Sequence, residues 1–253
     1  MIELEPSHYF LLLVAGLFAG FIDSIAGGGG LISMPALLWV GLPPHLVLGT
    51  NKMQSSCGTA AAVWRYWAAG LIDWGLVRRA AIITFVSATL GTMAVTWIDG
   101  EILKRMVPWL LLAVAGYTLI SPKLGHQVKQ ARMSVLSFSM LFGSALGFYD
   151  GLFGPGTGSF WTLACVGILG LELTRATAFT KVVNLSSNIA SLAVFMCASK
   201  IRYDVAAVMI LGQLVGARLG SGLVIKHGAP FVRIVFLVVV FAMIAKLLSD
   251  QLR

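Results

Sequence analysis

The chain has 253 residues, of which 58% are hydrophobic and 11% charged, and its mean hydropathy is +0.90. A soluble protein carries about 25% charged residues, so this chain lacks the polar side chains to cover a water-facing surface and must be an integral membrane protein. Its net charge of +8 reads as anchor charges at a membrane surface, because no basic run is long enough to track a nucleic-acid backbone.

The leader Met1-Ile2-Glu3-Leu4-Glu5-Pro6 is acidic, unlike the basic start of a secretory signal, so the first apolar run is expected to remain as a membrane helix. Apolar segments run at 9–26, 31–41, 45–69, 76–98, 101–120, 134–153, 158–170, 174–198, 203–226 and 230–249. A helix needs about 20 residues to span a bilayer. Segments 31–41 and 158–170 are too short for that, and each follows a glycine cluster. They are expected to be half-helices or re-entrant pieces, which a bilayer tolerates only against protein or a water-filled cavity. The clusters are Gly27-Gly28-Gly29-Gly30 and Gly154-Pro155-Gly156-Thr157-Gly158, with Asp23 and Asp150 each four residues ahead of the first of these glycines. Glycine costs about 1 kcal/mol against alanine inside a helix. A repeated interruption of this kind has a purpose.

The connector 121–133 carries Lys123, Lys129 and Arg132 without an acid, which places it in the cytoplasm by the positive-inside rule. It divides the chain into 1–120, a first transporter repeat, and 134–253, a second, together forming one integrated membrane domain. Lys52 matches Lys181, Ala88–Val95 matches Ala217–Val224, and Lys104 matches Arg233, all at a shift of 129. The expected fold is therefore all-α, with two homologous halves of about four membrane segments each and helices broken at the glycine motifs. Inverted repeats are the preferred arrangement, because broken helices meeting at a midplane are typical of that plan; the loop charges do not decide it.

Asp23, Lys52, Asp150, Lys181 and Arg218 sit deep within apolar segments, where each charge costs roughly 2.5–3.5 kcal/mol and needs a cavity or a partner. Lys52 heads a stripe with Ser55, Ser56 and Thr59; Lys181 heads one with Asn184, Asn188 and Ser191, at helical spacing. Ser, Thr and Asn alone would serve as ordinary helix–helix contacts, but a lysine at the head of both stripes points to an anion site. Helices starting after Gly28, Gly29 and Gly30, and after Gly156, Thr157 and Gly158, would add backbone N–H groups suited to an oxyanion. Gln54 would donate a further hydrogen bond, and Arg218, with Gln213, would bind a sulfonate or carboxylate, or else pair with Asp23 or Asp150. The two aspartates oppose a simple anion cage. They would form a lysine–aspartate pair within each half, carry protons that couple transport, or cap the loops. Arg65 and Lys246 lie nearer segment ends and are expected to snorkel. Trp39, Trp67, Trp74, Trp97 and Trp109 read as an interfacial belt.

Cys57, Cys165 and Cys197 form no CxxC pair, and there is no HExxH, serine elbow or Cys/His cluster. No catalytic residue, metal or cofactor is expected, and no enzyme activity.

The stretches Gly20-Phe-Ile-Asp-Ser-Ile-Ala-Gly-Gly-Gly-Gly-Leu-Ile32 and Gly147-Phe-Tyr-Asp-Gly-Leu-Phe-Gly-Pro-Gly-Thr-Gly-Ser159 resemble the doubled motif of the TauE/SafE membrane-transporter family, in its YfcA-type branch. Thr50-Asn-Lys-Met-Gln54, with Thr180-Lys181, Asn184 and Ser187-Asn188, resembles its other signature. The resemblance covers about 10–250. It implies a multi-pass carrier in the bacterial inner membrane for a small sulfur-containing anion such as sulfite, a sulfonate of the sulfoacetate kind or thiosulfate. An anion channel and a carrier of a non-sulfur carboxylate are the alternatives. The partners expected are that small anion and the lipid bilayer, with proton coupling and an oligomer left open and no nucleic acid.

Overall fold

Helices start where the sequence supplies groups for their unpaired N–H donors. In the computed structural model, residues 4–103, 105, 106, 109 and 130–251 are described, with side chains through residue 228. The helices are α1 (Pro6–Ala26), α2 (Gly30–Trp39), α3 (Pro44–Ala68), α4 (Trp74–Thr96), α5 (Val135–Leu152), α6 (Thr157–Gly167), α7 (Leu173–Cys197) and α8 (Tyr203–Gln251). Proline opens α1 and α3, where its missing N–H costs nothing. The Asp73 carboxylate accepts from Leu76 N–H at 3.1 Å and caps α4; Ser134 and Glu172 cap α5 and α7 in the same way. Among the described residues there is no strand.

Among the described residues, five helices are long and apolar enough to cross a membrane: α1, α4, α5, α7 and α8 as far as Gly228. The protein is multi-pass. α3 has the length, at 25 residues, but its middle is polar. The two short segments appear as α2, with 10 residues, and α6, with 11, some 15 Å each at ~1.5 Å per residue and half of a crossing. Gly228 (φ 65°, ψ −155°) breaks α8 between the two apolar segments expected there. Most of 101–120, the connector up to 129, and with them Lys104, Lys123, Lys129 and His126, fall outside the described residues, as do the side chains of Arg233 and Lys246.

Helix pairing runs between the halves. α1 lies along α8, with Gly16 against Met209 and Gly20 against Gln213, while Gly212 and Gly216 lie against Leu17. α4 lies along α5, with Thr84 against Gly147 and Ala88 against Gly151. Residue numbers rise together in both pairs, so each is parallel. The glycines recur every four residues, at Gly143, Gly147, Gly151 and at Gly212, Gly216, Gly220, and let the backbones touch. A methyl on Gly16 would meet the Met209 carbonyl oxygen at 2.5 Å.

The chain ends of these helices sort into two groups. At one end of the bundle Tyr9 donates to Asp204 at 2.8 Å, His45 Nε2 lies 3.1 Å from the Ile98 carbonyl, and Gly49 backs onto Lys200. This end gathers the starts of α1, α3 and α8. At the other, Arg132 N–H donates to Ile168 O at 2.8 Å, and Asp73 and Arg175 line a cavity of about 60 Å³; here α4, α5 and α7 start. α1, α3 and α8 thus begin at one end of the bundle, and α4, α5 and α7 at the other. One apolar cluster, around Leu12, Met34, Phe195 and Met209, fills the first end, and another, around Tyr66, Phe138, Trp161 and Phe179, fills the second. Between them lies a polar layer.

Candidate functional site

The polar layer is built where the two helix breaks abut. Gly27 has φ 72° and Gly156 φ 80°, left-handed values that glycine adopts without strain. The breaks also touch: a methyl on Gly27 would lie 2.6 Å from Gly158 Cα, and one on Gly158 would lie 2.7 Å from Gly27 Cα. Only bare backbone fits on both sides. α2 and α6 start from this contact and run to opposite ends of the bundle; in their first turns Leu31 N–H donates to Gly28 O at 2.9 Å and Thr157 N–H to Gly154 O at 3.2 Å, which leaves Gly30 and Gly158 to present theirs at the breaks.

α3 and α7 carry the charges into this layer. Lys52 Nζ is 2.8 Å from Asp150 Oδ1 and donates to Asn188 Oδ1 at 3.2 Å. Lys181 Nζ is 3.0 Å from Asp23 Oδ2. The sequence suggested a lysine–aspartate pair within each half; the structure corrects this, since each lysine reaches across to the aspartate of the other half. Asp150 also accepts from Ser187 Oγ. Thr59 Oγ1 donates to Asp23 and accepts from Asn188 Nδ2, both at 3.4 Å, so one chain of hydrogen bonds joins the two ion pairs.

A cavity of about 30 Å³ borders these pairs, room for little more than a water. Of the residues expected to form a site, Asp23, Lys52, Ser55, Asp150, Asn184 and Asn188 line it, with the backbone of Gly28, Gly30, Gly156, Thr157 and Gly158. Lys181 lies behind Asp23, fully buried. Gly29 is packed away from the cavity, where a methyl would meet Asp23 Cβ at 2.7 Å. Gln54 is a supporting residue: its Nε2 donates to Asn51 Oδ1 at 2.9 Å and to Ser55 Oγ at 3.2 Å. Arg218 is not brought to the cavity and pairs with neither aspartate; it is exposed on the flank of α8. Ser191 meets Thr92 Oγ1 at 2.8 Å as a helix-to-helix contact, and Ser56 donates back to Lys52 O at 2.7 Å.

Sequence reasoning passed over Asn51 and Gly154, which line the cavity too. Asn51 Oδ1 already accepts from Gln54 and from Ser33 Oγ, which leaves its Nδ2, near Gly30, as a donor toward the cavity. Its place beside Lys52 was the available signal. Donors therefore surround the space: Lys52, the Asn51 amide and the starts of α2 and α6. The formal charges of two lysines and two aspartates cancel. An anion entering here competes with the carboxylates for the lysines.

The chain belongs to the sulfite exporter TauE/SafE family, which it matches over residues 12–247. It is 43% identical over 241 residues to a "Probable membrane transporter protein" of Haemophilus influenzae, covering 95% of this chain and 94% of that one. It is 39% identical over 247 residues to the "Probable membrane transporter protein YfcA" of Escherichia coli, at 98% and 92% coverage. A Sinorhizobium "Probable membrane transporter protein ORF9" is 38% identical over 239 residues, at 94% and 92%. Family membership and these relatives support a membrane transporter.

Proposed function

We propose that this protein is a secondary carrier for a small sulfur-containing oxyanion, such as sulfite, a sulfonate or thiosulfate, working by alternating access in the bacterial inner membrane. The observation that carries the reading is the pair of buried lysines, each held by a carboxylate of the other half, beside two helix starts. In this reading the halves 1–120 and 134–253 are inverted repeats joined by the connector 121–133, supported by counterpart helices starting at opposite ends. Substrate oxygens replace Asp150 on Lys52 and Asp23 on Lys181, while Asn51, Ser55, Asn184, Asn188 and the N–H groups at Gly30 and Gly158 donate hydrogen bonds. The displaced carboxylates then face uncompensated burial, which favours proton uptake and gives the coupling. A cavity of about 30 Å³, with no room for a continuous pore, favours a carrier over an open channel, and saturable uptake with counterflow is its kinetic mark.

Orientation follows from the charges. The end where α4, α5 and α7 start carries Arg65, Arg78, Arg79, Arg132 and Arg175 against Asp73 and Glu172; Glu5, Asp99, Glu101 and Asp204 gather at the other with Arg105, Lys200 and Arg202. The arginine-rich end is the cytoplasmic one.

The test is binding and proteoliposome uptake of sulfite, sulfoacetate and thiosulfate by Lys52→Met and Lys181→Met proteins. Both should lose anion binding. Wild-type affinity in both variants would rule out the site.

A further inference from the structure

A second basic site lies outside the polar layer, on the flank of α8 toward the arginine-rich end. Arg218, Gly222 and Lys226 follow one another at intervals of four along α8, so they share a face. Arg65 of α3 lies over the middle of that row: its Nη2 is 3.0 Å and its Cζ 3.6 Å from where a methyl on Gly222 would stand. The glycine makes the seat for the guanidinium. Arg65 is held in place through its neighbour Tyr66, whose hydroxyl donates to the Ser24 carbonyl at 2.7 Å at the end of α1.

Among the described residues, the three cations of this row have no carboxylate at ion-pair distance. The ion pairs among the described residues are Lys52–Asp150, Lys181–Asp23 and Arg202–Asp204, and none involves Arg65, Arg218 or Lys226. Arg65 Nε is buried and lacks a hydrogen-bond partner, whereas a buried guanidinium N–H ordinarily has one. Around the row the protein shows side chains suited to acyl chains: Leu214, Val215, Leu219 and Ile225 of α8 are exposed, and Trp64 and Trp67 stand beside Arg65 on α3. Lys226 lies two residues from the break at Gly228, and Arg218 lies ten residues from it, about 15 Å deeper. The row therefore runs from the membrane surface inward.

We infer that Arg65, Arg218 and Lys226 form a binding site for the phosphate of an anionic phospholipid, with Gly222 as the floor of the seat. The planar guanidinium of Arg65 supplies the paired donors that a phosphodiester matches. A phosphate drawn there meets the Nη groups of Arg65 above Gly222, and the lipid's chains cover the exposed leucines. A free phosphate would offer the same oxygens but leave those side chains uncovered.

Native mass spectrometry of the full chain, released from nanodiscs of phosphatidylcholine doped with phosphatidylglycerol, reads the site directly. The wild type should retain phosphatidylglycerol in preference to phosphatidylcholine. Each of Arg65→Gln and Arg218→Gln should lower that preference about fivefold, the worth of one basic side chain at an anionic membrane surface. Gly222→Leu, which fills the seat and keeps every charge, should lower it too. Arg218 is exposed, so Arg218→Gln folds whatever becomes of the other variants. Equal retention by wild type and Arg218→Gln would overturn the site. So would competition in which millimolar inorganic phosphate displaces the retained lipid, because the ligand would then be the free ion.

Discussion

Removing either partner of the Lys52–Asp150 pair should destabilise the protein far more than removing both. The two side chains are 3% and 6% exposed and 2.8 Å apart, so neither is screened by solvent. Lys52→Met leaves Asp150 with the Ser187 hydroxyl as its remaining side-chain partner, and Asp150→Asn leaves Lys52 with Asn188. Breaking a buried pair from one side costs about 3–5 kcal/mol, whereas neutral replacement of both is often without cost. Against a total stability of about 5–15 kcal/mol, each single loss is measurable by denaturant unfolding in detergent. The Lys52→Met/Asp150→Asn protein should recover about 2–3 kcal/mol relative to the sum of the single losses. The decisive comparison is Lys52→Met with Asp23→Asn, two charges of the same half. That cycle should show the smaller coupling. Additive losses for Lys52 and Asp150, or a larger coupling for Lys52 and Asp23, would refute the cross-half pairing.

Gly27→Ala and Gly158→Ala each push a methyl to within 2.6–2.7 Å of the opposing backbone; each should cost about 1–3 kcal/mol and reduce uptake, and a wild-type melting temperature would show that the breaks are not in contact. Asp23→Asn and Asp150→Asn should remove the dependence of uptake on an imposed pH gradient, and an unchanged response would eliminate proton coupling through them. Thr92→Val removes the bond to Ser191 Oγ, 2.8 Å away; it should cost about 0.6 kcal/mol, the average for a hydrogen bond between membrane helices, and leave uptake intact.

The helix pattern was legible because hydropathy and glycine placement act locally. The short segment read at 31–41 is α2, Gly30–Trp39, and the one at 158–170 is α6, Thr157–Gly167. The cost of intramembrane charge pointed to Asp23, Lys52, Asp150 and Lys181 as groups in need of partners, and the structure pairs them. Which lysine takes which aspartate was not legible. Two matching Asp–glycine motifs and two lysines offer both pairings at equal cost, and only the packing of α3 and α7 chooses. Arg218 was misplaced for a different reason: hydropathy reports depth along a segment and says nothing of direction. Direction was nonetheless written in the glycines. Gly216 and Gly220 face α1, and Arg218, two residues from each, is turned to the opposite side of a helix with 3.6 residues per turn.

The crossed ion pairs also bear on how the chain is made. Lys52 precedes Asp150 by 98 residues, and Asp23 precedes Lys181 by 158. At about 5–20 residues per second of synthesis, the first half waits roughly 5–30 s in the membrane before its mature counter-charges emerge. During that interval neither Asp23 nor Lys52 has the counter-charge it holds in the finished fold. Assembly is therefore completed by the arrival of α5 and α7, which bring the two ion pairs that tie early residues of the chain to late ones.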